Sequence, residues 1–428
     1  MTRNARNIER IRGAIFVGVL SLLFGSTLSA QHDPTTLGTR MLADPKVRAT
    51  LNAVLADEPA VLADQVSLCE IPAPPFEEQA RAEAYRDHFE TLGLENVRID
   101  AVGNVLGERP GREPRPHLVF SAHLDTVFPE GTDVSVAREG RLLRGPGIGD
   151  DCRGLAVVLA VARALDRGDI ETTGRITFVG TVGEEGLGDL RGVKHLFDNE
   201  LAGEVDRFVS VDGAGVGLTT SAVGSHRYRV TYRGPGGHSF GAFGLASPIH
   251  ALGRLIEAVA RFNVPQDPKT TFTVGRIGGG TSVNSIASSA WLEVDLRSIG
   301  IVALDDLDAW FRRAVGASLD AENRRWGSGG RLQVDIKEVG RRPAGQTLPD
   351  HPFVQAAVAV TEALGLPVRL SAGSTDANIP MSLGIPAITV NGGGSGVGAH
   401  SEAETFDSTD SALGTQRAVL LAVGLTEP

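Results

Sequence analysis

Short apolar runs that alternate with helical stretches constrain the fold of this chain more than any other feature. The runs lie at residues 118–121, 175–182, 207–211 and 385–390, and helical patterns separate most of them. Strand–helix alternation indicates a mostly parallel sheet with helices on both faces. We therefore predict an α/β fold built on a mixed, mostly parallel sheet.

A histidine and an aspartate leave the first run with one residue between them. Successive side chains in a strand alternate faces, so His123 and Asp125 project to the same side. An imidazole that binds a divalent cation needs a carboxylate or carbonyl nearby to set its orientation. Taken alone, the pair indicates no more than an exposed polar strand end.

Two pairs of adjacent carboxylates lie in similar positions. Asp150 and Asp151 lie in a glycine-rich loop before a helical stretch, where a cation would relieve the repulsion between them. A simple N-cap of that helix explains one of the two. Glu184 and Glu185 end the run 175–182, where one could bind metal while the other transfers protons. A solvated turn is the alternative interpretation of this pair.

Two further residues complete the pattern: Asp212 follows the run 207–211, and His400 ends the glycine-rich loop after 385–390. Ligands gather outside the carboxyl ends of parallel strands, and random polar turns would not select these residue types there. Imidazole and carboxylate donors suit zinc, and one carboxylate can bridge two ions. We therefore predict a centre for two Zn²⁺, with Mn²⁺ or Co²⁺ as alternatives, and Glu184 as general base. The predicted ligands are His123, Asp150, Glu185, Asp212 and His400.

The order of these motifs resembles that of the co-catalytic zinc hydrolases of metallopeptidase family twenty, the group of peptidase T, carboxypeptidase G, aminoacylase and acetylornithine deacetylase. The resemblance covers nearly all of the chain after residue 30 and implies the zinc exopeptidase type of fold. It implies that Asp150 bridges the metals, that Asp125 orients His123, and that the Asp150–Asp151 peptide is cis. Many members have a lysine where this chain has Arg153. The motifs are HLD at 123–125, GDD at 149–151, EEG at 184–186, VDG at 211–213 and AHS at 399–401.

Residues 218–339 have a pattern of their own, with strands and helices in the order βαββαβ. This is the ferredoxin-like order, so we predict an inserted α+β lid and dimerisation domain. It divides a catalytic domain into two parts, 42–217 and 340–428. The resemblance implies that this domain can form a homodimer and that His238 polarises the scissile carbonyl, often from the partner subunit. A plain residue of a glycine-rich turn is the alternative interpretation of His238.

The resemblance also implies three substrate-binding residues. Asn284 and Arg297 occupy positions that the family uses for substrate binding, and Asp376 would hold the terminus of the substrate. A strand-edge salt bridge is the alternative interpretation of Arg297. A plain turn and helix cap is the alternative for Asp376.

Residues 1–30 differ in composition from the rest of the chain. Four arginines precede the apolar stretch 14–24, and the small residues 26–30 follow it. This pattern predicts a secretory signal peptide, with an uncleaved membrane anchor as the alternative. We therefore expect a periplasmic or secreted protein with no membrane span after cleavage. In an oxidising compartment a disulfide between Cys69 and Cys152 is allowed but not implied.

The chain is acidic, with a formal charge of −11 that becomes about −14 without residues 1–30. Nucleic acid is therefore a poor partner, whereas a carboxylate cluster that binds cations fits this charge. The length of 428 residues suits an enzyme with two domains.

These features predict a secreted two-zinc metallohydrolase that cleaves an amide or peptide bond in a small peptide, of the peptidase T or carboxypeptidase kind. The expected chemistry is attack by a metal-bound hydroxide, with Glu184 as general base. An N-acyl amino acid deacylase is the alternative among enzymes, and a non-catalytic zinc-binding protein is the alternative outside them. A silent homologue should have lost Glu184 or a ligand, and this chain keeps them all, which favours an enzyme.

Overall fold

The computed structural model describes residues 33–327 and 330–428, so the predicted signal peptide at 1–30 lies outside the described residues. Among the described residues, none of the helices combines the length and the hydrophobicity that a membrane span requires. The helices are α1 (Leu37–Ala43), α2 (Pro45–Cys69), α3 (Gln79–Thr91), α4 (Cys152–Arg167), α5 (Arg191–His195), α6 (Pro248–Ala260), α7 (Ile301–Trp326), α8 (Pro352–Ala363), α9 (Asn378–Ser382) and α10 (Ala412–Gly424). The strands are β1 (Glu95–Ile99), β2 (Val105–Arg109), β3 (Leu118–His123), β4 (Ala137–Glu139), β5 (Leu142–Arg144), β6 (Ile176–Thr181), β7 (Arg207–Val211), β8 (Leu218–Ala222), β9 (Gly224–Arg233), β10 (Gly237–His238), β11 (Thr270–Gly279), β12 (Ser285–Ile286), β13 (Ser289–Ser298), β14 (Gln333–Arg342), β15 (Gly345–Gln346), β16 (Leu370–Gly373), β17 (Ala387–Val390), β18 (Ser395–Val397) and β19 (Thr405–Asp407).

The main sheet is parallel at its centre and antiparallel at its margins. Its strand order is β1-β2-β6-β3-β7-β17-β8-β15, with β16 beside β8. Strands β6, β3, β7 and β17 are neighbours and run parallel, whereas β2 pairs antiparallel with β6 and β8 pairs antiparallel with β17. The prediction of a mixed α/β sheet is confirmed. The parallel block brings the carboxyl ends of four strands to one edge.

Alternating side chains on β3 show why helices cover both faces of this sheet. Leu118 and Phe120 pack into a core with side chains from α2, α4, α8 and α10. Val119, between them, joins a second core with Val193 of α5 and Ile379 of α9. Full burial of a leucine or phenylalanine side chain contributes about 2 kcal/mol, so an apolar strand is stable only between two helical layers.

A second, four-stranded sheet has the order β11-β13-β9-β14, and all of its pairs are antiparallel. Along the chain its elements follow as β9, α6, β11, β13, α7 and β14, which is the predicted βαββαβ order. Tyr228, Leu255, Leu292 and Phe311 belong to a separate hydrophobic core between this sheet and its two helices. The domain boundaries at 42–217, 218–339 and 340–428 stay predictions.

Cys69 at the end of α2 and Cys152 at the start of α4 form a disulfide, the pairing that the sequence left open. Both residues are fully buried, and their Cα atoms are 5.4 Å apart. The bond closes a sequence separation of 83 residues, so it restricts the unfolded chain considerably. It also attaches the start of α4, two residues after Asp150, to a long helix.

A buried histidine before β3 makes the stability of this sheet depend on pH. The ring of His117 is fully buried, with Nε2 2.8 Å from Thr177 Oγ1 and Nδ1 3.2 Å from the Glu204 carbonyl oxygen. Burial, helped by the charge of Arg175, lowers the pKa of His117 from 6.5 to about 4. As the pH falls through this interval, the unfolded chain takes up a proton that the native chain does not, so the native state loses stability.

The difference in the pKa of His117 between the folded and unfolded chain corresponds to a loss of about 3 kcal/mol of stability at low pH. We expect His117→Gln to abolish this loss. The free energy of unfolding in urea, measured between about pH 7 and pH 4.5, should fall more steeply for the wild type than for the variant. His88→Gln, at a half-buried histidine on α3, serves as the matched control. Parallel curves for the wild type and His117→Gln would contradict the prediction.

Candidate metal centre

The four parallel strands bring the predicted ligands to one edge of the main sheet. His123 is the last residue of β3, and Glu184 and Glu185 follow β6 after a two-residue link. Asp212 directly follows β7, and the loop after β17 leads to His400. The edge is therefore formed by residues from distant parts of the chain.

Asp150 lies between the two predicted histidine ligands. Its Oδ1 is 3.0 Å from His123 Nε2, and its Oδ2 is 3.1 Å from His400 Nε2. His400 Nε2 is also 2.8 Å from Glu185 Oε1. A carboxylate with a different imidazole at each oxygen has the geometry of a bridging ligand. His400 adopts a left-handed φ of 66°, an unfavourable conformation for a non-glycine residue that is common at functional sites.

Asp125 is buried and holds two elements of the centre at once. Its main-chain carbonyl accepts a hydrogen bond from His123 Nδ1 at 2.9 Å, which leaves Nε2 free for a metal. Its carboxylate oxygens accept the N–H groups of Glu184 at 2.9 Å and Glu185 at 2.8 Å. The carboxylate is 3.7 Å from His123 Nδ1, so the carbonyl makes the shorter contact with the ring.

Asp151 anchors the loop that carries Asp150. It caps α4 by accepting the N–H of Gly154 at 3.0 Å, and it also accepts the N–H groups of Gly213 and His123, both at 3.1 Å. The Asp150–Asp151 peptide is cis, as the resemblance implied. One carboxylate of the pair thus faces the histidines, and the other binds the main chain.

Arg153, where the resemblance led us to expect a lysine, makes its hydrogen bonds to residues outside the candidate ligands. Its buried guanidinium donates to the carbonyls of Gly392 and Ser411, both at 2.8 Å, and to Glu58 Oε1 at 3.0 Å. These bonds join α4 to α2, to the loop after β17 and to the start of α10. Arg153 therefore has a structural role.

The pKa values reflect crowded acidic charge. Hydrogen bonds to Asp150 and Glu185 raise the pKa of His400 to about 10. Burial raises the pKa of Glu184 to about 8, against the opposing charge of a nearby arginine. Burial and the charge of Asp150 raise the pKa of Asp212 well above its usual range.

The donor set fits two divalent cations. Ligand atoms of His123, Asp150 and Glu185 all lie within 4.8 Å of one another, and His400 contacts two of these residues. Two cations would neutralise the carboxylates that otherwise repel one another. The carboxylates gathered here are Asp125, Asp150, Asp151, Glu184, Glu185 and Asp212.

Two residues predicted to act on the substrate, His238 as a catalytic residue and Asn284 as a binding residue, lie on and beside the pair β10–β12, outside the second sheet. His238 on β10 is exposed, and its Nδ1 accepts the N–H groups of Phe240 and Gly241, both at 3.2 Å. Asn284 is exposed beside it, where its main-chain carbonyl accepts the N–H of Ser239.

Arg297 on β13 donates to Asp295 Oδ2 at 2.7 Å, the salt bridge that the sequence offered as an alternative. In the described part of the chain, no hydrogen bond or ion pair joins His238, Asn284 or Arg297 to the candidate ligands. Asp376 is buried and accepts a hydrogen bond from Thr181 at the end of β6. Burial raises the pKa of Asp376 to about 6.

Sequence reasoning missed two residues of the centre. The buried carboxylate of Glu404 accepts the N–H groups of Gly147 at 3.0 Å, Gly149 at 2.8 Å and Asp150 at 3.0 Å. The buried Arg342 at the end of β14 donates to Glu184 Oε1 at 3.0 Å. The position of Glu404 four residues after His400 is a weak signal, and Arg342 has none in the sequence.

The mixed sheet places imidazole and carboxylate donors together at the carboxyl ends of its parallel strands, an arrangement typical of α/β proteins that bind divalent cations. Residues 119–423 match Peptidase family M20/M25/M40, and the chain belongs to this family. The prediction of an enzyme of the peptidase and amidohydrolase kind is therefore confirmed.

Among relatives, the chain is 26% identical over 272 residues to carboxypeptidase G2 from Pseudomonas sp. (strain RS-16). This match spans 60% of the chain and 64%, less than two thirds, of that relative. Aminopeptidase PepT from Bacillus cereus has a similar fold, with a TM-score of 0.69 at 22% identity over 86% of this chain and 98% of that chain. The YXEP protein of Bacillus subtilis, a dinuclear metal binding peptidase, has a TM-score of 0.63 at 20% identity over 89% and 99%.

We expect Glu404→Ala to weaken zinc binding by about 10- to 100-fold, because the loop that presents Asp150 loses three hydrogen bonds to a carboxylate. Competition with a chelator of known affinity measures the change. Glu402→Ala, at an exposed carboxylate two residues away, is the matched control and should bind zinc like the wild type. Equal zinc affinity in the Glu404→Ala protein would show that this carboxylate does not support the ligand loop.

Proposed function

We propose that this protein is a secreted or periplasmic two-zinc hydrolase that cleaves an amide bond in a small peptide. The observation that carries the proposal is Asp150 between two histidines, with the buried Glu184 beside the ligand Glu185. Export rests on the pattern of residues 1–30, and the Cys69–Cys152 disulfide supports an oxidising compartment. N-terminal sequencing of the exported protein tests this part, with Gln31 as the expected first residue.

The metals in this proposal are two zinc ions held by the five predicted ligands. When bound, they supply Lewis-acid activation of a water molecule and of the scissile carbonyl. Nitrogen and carboxylate donors suit zinc, and Mn²⁺ and Co²⁺ are the alternatives. The ligands are His123, Asp150, Glu185, Asp212 and His400.

Glu184 is the proposed general base. It accepts a proton from the attacking water and later delivers it to the leaving nitrogen. Arg342 donates to Glu184 Oε1 at 3.0 Å and also to the Glu184 main-chain carbonyl, so it fixes both the side chain and its backbone. The same guanidinium reaches Ser374 Oγ at 3.0 Å. Arg342 is thus a positioning residue for the base.

The substrate of this proposal is a small peptide with a terminal charge, which Asn284, Arg297 and Asp376 would help to bind. The name of carboxypeptidase G2 refers to the carboxyl end of a peptide, and that of aminopeptidase PepT to the amino end. The two names therefore agree only on cleavage of an amide bond. An N-acyl amino acid deacylase uses the same chemistry and is the second candidate. A screen of di- and tripeptides and N-acyl amino acids, with detection of the released amine, distinguishes the two.

Glu184→Gln should retain the metal content of the wild type and lose about 10²- to 10⁴-fold in turnover, because the amide cannot accept the proton. Hydrolysis of the best substrate from the screen and metal analysis of the same preparation give the two readouts. Glu402→Gln, an exposed glutamate near His400, is the matched control. Unchanged hydrolysis in Glu184→Gln would rule out this residue as the base. Metal binding without hydrolysis of any substrate by the wild type would favour the non-catalytic alternative.

The proposal includes a homodimer in which His238 polarises the carbonyl in the partner's site. Two observations support it: His238 has no contact with the candidate ligands within its own described chain, and it lies beside exposed apolar side chains. Phe240 is 89% exposed, and Val283 is completely exposed. A second copy of the chain that covers these residues would bring His238 towards another centre.

Mixing two inactive variants tests the role across subunits. A dimer of one Glu184→Gln chain and one His238→Ala chain has one site with both residues intact if His238 acts on the partner. After unfolding and refolding of an equal mixture, about a quarter of the wild-type activity should return. No recovery from a mixture that sedimentation shows to be dimeric would place His238 in its own subunit's site.

A further inference from the structure

A second group of metal-binding side chains lies outside the candidate metal centre. Asp100 lies in the turn between β1 and β2, His195 ends α5, and Glu200 ends the π-helical turn Leu196–Glu200. One ligand atom from each lies within 4.8 Å of the other two. His195 Nε2 is 4.0 Å from Asp100 Oδ2 and 4.0 Å from Glu200 Oε1. One donor from the β1–β2 turn and two from one helical segment thus lie close together.

The imidazole nitrogen at the centre of this group lacks a partner. His195 Nε2 is buried and makes no hydrogen bond within the described residues. A buried polar atom without a partner is unfavourable, because it has lost its hydration and no hydrogen bond replaces it. The oxygens Asp100 Oδ2 and Glu200 Oε1 are too far from His195 Nε2 for hydrogen bonds. A cation between the three atoms could bind all of them if the side chains moved slightly closer together.

Asp100 is a rigid ligand. Its side chain is fully buried, and its Oδ1 accepts the N–H groups of Val102, Gly103 and Asn104, all at 2.9 Å. Its Oδ2 accepts Asn104 Nδ2 at 2.6 Å and retains a lone pair towards His195. A ligand held in this way loses little entropy when it binds an ion.

The local charge also favours a cation. Arg98 donates to Glu108 Oε1 at 3.0 Å and lies 3.4 Å from Glu200 Oε2. The group thus has three carboxylates, those of Glu108, Glu200 and Asp100, and one guanidinium, which pairs with the first two. Glu200 Oε1 is left to face His195. The remaining negative charge is that of two carboxylates, which a divalent cation neutralises.

A partner for the other ring nitrogen of His195 is present. Asn199 Nδ2 lies 3.1 Å from His195 Nδ1, so in this orientation the amide donates to the ring. Metal binding through Nε2 requires a proton on Nδ1, and the amide would accept that proton after a half-turn that exchanges its oxygen and nitrogen. Metal-binding histidines usually have such a second hydrogen bond.

We propose that Asp100, His195 and Glu200 form a site for one zinc-class divalent cation, in addition to the candidate metal centre. One imidazole and two carboxylates suit Zn²⁺, whereas Ca²⁺ and Mg²⁺ prefer oxygen donors alone. With three protein ligands, water completes the coordination.

A cation at this site would also stabilise the backbone that leads to the candidate base, Glu184. Asn104, beside Asp100 in the turn, accepts the N–H of Val182 at 3.0 Å and donates to the Gly192 carbonyl at 2.9 Å. Val182 precedes Glu184 by two residues, and Gly192 belongs to α5. A cation that links the turn to α5 would therefore hold in place the two backbone segments that Asn104 contacts, at Val182 and at Gly192.

Metal counting tests the proposal. The wild type, His195→Gln and Glu200→Gln are dialysed against the same buffered micromolar Zn²⁺ and analysed by elemental mass spectrometry. Both variants should hold one zinc per chain fewer than the wild type, and the control His88→Gln should match the wild type. Because the readout is a difference between proteins with identical predicted catalytic residues, it does not depend on the number of ions in the candidate metal centre.

Equal zinc content in the wild type and both variants would overturn the proposal. Asp100, His195 and Glu200 would then be held together by ion pairs between the two carboxylates and a protonated His195. Should the variants fail to fold, crystals of the wild type grown with Zn²⁺ decide the question. An anomalous-scattering peak within bonding distance of His195 Nε2 supports the site. A map with zinc at Asp150 and none at His195 refutes it.

Discussion

Three buried carboxylates that are not predicted ligands hold the loops that carry the ligands. Asp125 binds the N–H groups of Glu184 and Glu185, Asp151 binds that of His123, and Glu404 binds that of Asp150. Hydrogen bonds from main-chain N–H groups to a carboxylate are strong, particularly where water is excluded. The separations between ligand atoms at the centre therefore depend on these anchors as much as on the ligands.

The parallel strands explain why so much acidic charge can meet at one place. Strands β6, β3, β7 and β17 end side by side, so residues that are far apart in sequence become neighbours without a special fold around them. The helices on both faces keep the strands dry, which raises the cost of any charge that is left unpaired. The same arrangement that brings the carboxylates together thus favours a cation among them.

His123, Glu185 and Asp212 could be chosen as candidate ligands because they lie at or just after apolar runs, and a strand end is a local feature. Asp150 and His400 were indicated by glycine-rich loops, which are local features too. The sequence did not predict Glu404, because its contact with Asp150 joins residues that are 254 positions apart. The exposed Glu402 is also a glutamate just after His400, so residue type and position do not distinguish the two. Arg342 was missed for the same reason: its contact with Glu184 exists only after β14 is in place. The pairing of Cys69 with Cys152 also required the packing of α2 on α4. Long-range contacts of this kind leave no periodic pattern in a single sequence.

The Cys69–Cys152 bond makes the protein sensitive to where it folds. Thiols remain reduced in a reducing cytosol, so a chain produced there would have the first residue of α4 held by packing and hydrogen bonds alone. That residue lies two positions from Asp150, and the freedom it gains would pass directly to the loop between the two histidines. Protein prepared in a reducing compartment and protein prepared in an oxidising one thus have the same sequence but differ in a covalent bond close to the candidate ligand Asp150.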